Sequence, residues 1–107
     1  MEYKVQFVDE KTKKEFEKIS KSEDKELKHH LERAFNDLLK NPFCGLCIPK
    51  KLIPKQYIRK YRIKNIWKYN LPGAWRLLYS IESDKVSVIA IILEWLNHKN
   101  YQRRFKY

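Results

Sequence analysis

The chain has 107 residues and a mass of 13.2 kDa, room for one domain with one modest core. With 43% hydrophobic residues, 14% aromatic and only two glycines, the composition argues against disorder. No apolar run approaches the ~20 residues of a membrane span, and the charged start Met1-Glu2-Tyr3-Lys4 is no signal peptide. Two cysteines without an export signal point to a reducing cytoplasm rather than a disulfide framework.

Charge is the informative quantity. Lys+Arg number 24 against 13 Asp+Glu, a net +11. Residues 1–40 balance, with 10 basic and 10 acidic side chains, whereas residues 41–107 carry 14 basic and 3 acidic. Within 41–81 there are nine cations and no carboxylate. Lysines that merely solubilise are interspersed with acids, as in the first 40 residues. A field of one sign instead attracts a polyanion, with nucleic acid the first expectation, or waits for an acidic protein partner.

In chain order, Tyr3-Lys4-Val5-Gln6-Phe7 alternates like a half-buried strand. Phe16 and Ile19, three apart, mark a short amphipathic helix. Ser20-Lys21-Ser22-Glu23 has capping-box spacing and opens a second helix. Leu27, Leu31, Ala34, Phe35, Leu38 and Leu39 give that helix one apolar face, and Asn41-Pro42 stops it. Residues 42–58 hold three of the four prolines and read as an ordered basic loop with short extended pieces. Ile58 to Asn70 has the β-branched and aromatic content of a strand. Leu71-Pro72-Gly73-Ala74 suits a turn with glycine at positive φ. Trp75 to Glu82 then alternates, and Val86 to Trp95 has the continuous apolar centre of a strand covered on both faces. Asn97 to Tyr107 is a short helix or an extended tail. The expected class is α+β: an N-terminal strand, two helices, then an antiparallel three-strand meander, in one sheet covered on one face by the helices.

Cys44-Gly45-Leu46-Cys47 has half-site spacing, but no second cysteine pair exists and His29-His30 do not complete a set, so neither a metal nor a redox cofactor is expected. There is no phosphate-cradling glycine loop. Arg76 stands out. If Trp75, Leu77 and Tyr79 pack on the helices, Arg76 emerges on the opposite face, with Lys64 or Lys68 across or diagonal to it. His98, Tyr101, Arg103, Arg104 and Tyr107 can converge there, and 41–81 offers no acid to neutralise it. Bases of single-stranded RNA stack on aromatic rings while cations hold phosphates. Tyr101 and Tyr107 are the stacking candidates, and Lys50, Lys51, Lys55 and Arg62 extend the basic surface.

Leu71-Pro72-Gly73-Ala74-Trp75-Arg76-Leu77-Leu78-Tyr79-Ser80-Ile81 resembles the arginine strand of the RelE/ParE toxin superfamily. Tyr61-Arg62-Ile63-Lys64 is similar to the basic strand before it, and His98-Lys99-Asn100-Tyr101 to the segment after the last strand. The resemblance, which spans essentially the whole chain in element order, implies the toxin of a type II toxin–antitoxin pair. RelE-like members cut mRNA in the ribosomal A site without metal, and ParE-like members act on DNA gyrase. It implies Arg76 as phosphate clamp, Lys64 and Lys68 as phosphate holders with one as base, His98 as general acid and Tyr101 as stacking platform. Since 41–81 has no carboxylate, the base is a lysine or His98, with Glu94 an outside option. It also implies an acidic antitoxin, with ribosome and mRNA as partners. The alternatives are a gyrase inhibitor without nuclease activity and a basic RNA-binding domain without catalysis.

Overall fold

A computed structural model of the chain describes residues 1–19 and 25–105. The capping box at 20–23 and Tyr107 lie outside the described residues. In order, the elements are β1 (Glu2–Phe7), α1 (Glu10–Ile19), α2 (Lys25–Lys40), β2 (Leu46–Cys47), α3 (Lys55–Tyr61), β3 (Trp67–Leu71), β4 (Trp75–Ser83), β5 (Ser87–Leu96) and α4 (His98–Phe105). Short 3₁₀ turns occupy Pro42–Cys44, Lys50–Leu52 and Pro72–Ala74. No helix among the described residues is long and apolar enough to cross a membrane.

The sheet is ordered β1-β5-β4-β3-β2, with β1 parallel to β5 and the other pairs antiparallel. This corrects the expected three-strand meander covered on one face. Among the described residues the sheet has five strands, one pair is parallel, and four helices cover both faces. The cause lies in β5, whose apolar centre needs neighbours on both edges and cover on both sides. β4 lines one edge of it and β1 the other, after α1 and α2 have carried the chain across one face.

That first face is the one the sequence anticipates. Leu27, Leu31, Ala34 and Leu38 of α2 are buried against Leu77, Tyr79, Ala90 and Ile92. Leu39, expected on the same stripe, is 46% exposed and lies outside it. Asp9 caps α1 by accepting from the Thr12 N–H at 2.8 Å, and the Thr12 side chain together with that N–H holds its carboxyl below the usual range. The opposite face carries a second core of Ile63, Ile66, Leu78, Leu93 and Leu96 under Tyr57 of α3 and Tyr101 and Phe105 of α4. It is reached through a bulge. Leu78 faces Glu94 and Tyr79 faces Ile92, so Leu93 is an extra residue, and both Leu93 and Glu94 turn to this side.

Helix α3 replaces the first part of the strand expected over Ile58 to Asn70. Pro54 starts it, and Tyr57 and Tyr61, one turn apart, lie on one face with their rings stacked at 6.2 Å. Tyr57 also stacks on Phe105 at 5.5 Å, so helix packing decides what β-branched content left open. The helix ends at Arg62 in the left-handed region (φ 52°, ψ 42°). The turn before β4 has Gly73 at φ 75°, as its sequence required.

Buried phenols give the fold an alkaline limit. Burial pushes Tyr57 and Tyr79 above their ordinary value, and donation to Asp37 raises Tyr69 to about 12. Below the unfolded value of 10.0 all three are protonated whether the chain is folded or not. Above it the unfolded phenols ionise first, so the stability they hold is lost as pH rises toward 12. The urea midpoint should therefore fall between pH 8 and pH 11, and less so in Asp37→Asn. Equal midpoints at the two pH values would refute this.

Candidate nucleic-acid interface

Register decides which cations meet. In the β3–β4 ladder Asn70 lies opposite Arg76 and Lys68 opposite Leu78. Lys68 is therefore diagonal to Arg76 and on the same face, the second one. In the β4–β5 ladder Arg76 lies opposite Leu96, and α4 begins two residues later. That helix turns Tyr101 inward beneath both cations. The Lys68 Nζ stands 5.3 Å and the Arg76 Cζ 5.5 Å from the centre of the Tyr101 ring. An aromatic ring shared by two cations seats them without neutralising them.

Arg76 is half-buried. One terminal nitrogen donates to the Trp75 carbonyl at 3.2 Å, while its Nε is buried with no hydrogen-bond partner. Among the described residues no carboxylate pairs with Arg76 or Lys68; the ion pair they contain is Arg104–Glu94 at 3.5 Å. A buried guanidinium donor without an acceptor costs free energy. The guanidinium as a whole is only half-buried, so its remaining donors can take an anion, and a phosphate oxygen has the right charge and geometry.

The other sequence candidates divide. His98 opens α4 with its side chain exposed, at the same end of the sheet as Arg76 by register. Tyr101 is only 5% exposed, so its ring carries cations and is no open stacking platform. Lys64 does not join Arg76. β3 starts at Trp67, and Lys64 lies in the connector before it, in a pocket at the far end of β4 together with Arg62. The segment Tyr61-Arg62-Ile63-Lys64 is thus a helix end and loop rather than a strand. Lys55, Arg103 and Arg104 share a groove of about 440 Å³ between the start of α3 and the end of α4. Lys50 and Lys51 are exposed on the 3₁₀ turn that precedes α3.

Glu94, the outside option for a base, is held by Arg104 beneath α3 and α4, beside the Tyr57 hydroxyl. The sequence reading missed this cluster because it depends on the bulge at Leu93 and on α3. Cys44 and Cys47 are exposed free thiols, and partial desolvation of the Cys44 sulfur together with the Asp37 charge pushes it up, away from thiolate reactivity. No group of three His, Cys, Asp or Glu gathers among the described residues.

No protein-family model, curated protein or solved structure matches the chain.

Proposed function

We propose that the chain is a RelE-like toxin that cuts single-stranded mRNA on the ribosome at the Arg76 end of its sheet. The observation that carries this reading is the Arg76 guanidinium, half-buried and with no carboxylate on it among the described residues, beside Lys68 on the ring of Tyr101. Strand cleavage at phosphorus proceeds by attack of the 2′-oxygen, rupture of the P–O5′ bond, and formation of a 2′,3′-cyclic phosphate and a 5′-hydroxyl. The 2′-OH proton goes to a base, and an acid supplies a proton to the departing 5′-oxygen. Phosphorus passes through a state of higher negative charge, which preorganised cations stabilise. Arg76 takes that role, Lys68 holds the phosphate or accepts the first proton, and His98 is the candidate acid.

The excess charge of residues 41–107 suits a strand of RNA and, when the protein is silenced, an acidic antitoxin laid over the same surface. Both ribosome and mRNA place this activity in the cytoplasm. A second reading, RNA binding without cleavage, is favoured by His98, which is exposed with no hydrogen-bonded group orienting it among the described residues.

Induced expression tests the proposal. Growth arrest, with new 5′ ends inside translated codons on primer extension of total RNA, is expected. Arrest with intact mRNA and DNA-damage signalling would replace it with gyrase inhibition, and intact mRNA without arrest would leave the binding-only reading.

A further inference from the structure

The far end of β4 carries a second polar cavity, away from Arg76. It has a volume of about 300 Å³ and is lined by Arg62, Lys64, Asn65 and the β4 residues from Ser80 to Ser83. Its floor is fixed. The β3–β4 ladder stops at Trp67 opposite Tyr79, and Asn65 takes over the role of the missing strand. Its side-chain oxygen accepts from the Ile81 N–H at 2.8 Å and from the Ser80 hydroxyl at 3.2 Å, and its amide donates to the Ile81 carbonyl at 2.9 Å. Alternation along a strand then turns the Ser83 N–H to the same edge as that of Ile81, beyond Trp67, the first residue of β3.

Arg62 is the unexpected member. A left-handed residue at a helix end is ordinarily glycine or asparagine, because a Cβ there is strained. An arginine at φ 52° gives up stability that glycine would keep. Strain retained in this way concentrates where a side chain has a task. Here Arg62 lines the cavity with Lys64, and Glu82, the one acid among the described lining residues, leaves one unit of excess positive charge.

We propose that this cavity is a second phosphate site, which holds a phosphodiester of the same RNA strand roughly 13 to 23 Å from Arg76, by the rise per residue of β4. It rests on the reading that the chain binds RNA. Arg62 and Lys64 supply charge, the edge N–H of Ser83 supplies a directed donor, and Glu82 faces the sugar or base.

The test uses the whole chain, with single-stranded RNA of 4 and 16 nucleotides and with inorganic phosphate. Only the longer RNA spans both sites. Arg62→Gly should weaken the 16-mer about tenfold, reduce its salt slope by about 0.7, and leave the 4-mer held at Arg76 unchanged. The same variant should melt about 4 °C higher, because the strain is gone. Lys64→Gln should weaken the 16-mer without the gain in melting temperature. Inorganic phosphate should shift the amide resonances of Arg62, Lys64 and Ser83, and the 16-mer should displace it. Undiminished affinity of Arg62→Gly for the 16-mer overturns the proposal, as does phosphate that the 16-mer cannot displace. If neither RNA binds the wild type, the reading of RNA binding fails. The phosphate shifts then decide the anion site by themselves: their presence upholds it and their absence ends it.

Discussion

Arg76→Ala should lower RNA cleavage by a factor of roughly 100 to 1,000, the usual loss when one preorganised stabiliser of transition-state charge is removed. It should do so without unfolding the protein. The guanidinium makes one hydrogen bond, to the Trp75 carbonyl, and leaves its Nε buried and unpaired. Deleting the side chain therefore removes a desolvation cost together with a contact, and the melting temperature should stay within a few degrees of wild type. Arg76→Lys keeps the charge over Tyr101 but loses the planar fork, so it should recover part of the rate. Single-turnover cleavage on programmed ribosomes, alongside thermal melts, measures both quantities. A variant that cuts at the wild-type rate would remove Arg76 from the chemistry. One that unfolds would instead make it a structural residue.

The face on which Arg76 emerges was legible in the sequence, and the neighbours it meets there were not. The alternation of Trp75, Leu77 and Tyr79 places those side chains against α2, so Arg76 must turn the other way. Which lysine accompanies it depends on where β3 begins. The run from Ile58 to Asn70 contains no glycine or proline to mark that start. Tyr57 and Tyr61, one helical turn apart, are too few to outweigh the β-branched content around them, and α3 is fixed as a helix by the stacking of Tyr61 on Tyr57 and of Tyr57 on Phe105. The spacing of Tyr101 and Phe105, four apart, was the available sign that the C-terminal segment is a helix with a buried face. Reading Tyr101 as an open platform overlooked it. The parallel pairing of β1 with β5 has no local signature, since it joins residues about 85 positions apart by their numbering.

β2, two residues long, is the least legible strand, and substitution of Gly45 tests what holds it. Gly45 has an ordinary φ of −80°, so its glycine is required by space and not by backbone conformation. A Cβ there would stand 2.6 Å from the Lys68 carbonyl oxygen and against the Tyr79 hydroxyl. That hydroxyl, on a fully buried ring, donates to the Pro42 carbonyl at 2.9 Å and accepts from the Gly45 N–H at 3.1 Å. Gly45→Ala must push residues 42–47 off the sheet, leave the hydroxyl short of a partner, and loosen the pairs Leu46–Lys68 and Cys47–Trp67. Overpacking and a stranded polar group together cost about 3 kcal/mol, a fall of roughly 12 °C in melting temperature. Tyr79→Phe removes one of the two obstacles, so the double variant should lose less than the sum of the singles, while the Lys68 carbonyl keeps it below Tyr79→Phe alone. Because Lys68 itself carries the obstructed carbonyl, Gly45→Ala should also displace its ammonium from Tyr101 and slow cleavage at temperatures where the variant is still folded. Full stability in Gly45→Ala would show that this segment yields freely. Full activity in a destabilised Gly45→Ala would show that Lys68 is not held to its place by β2.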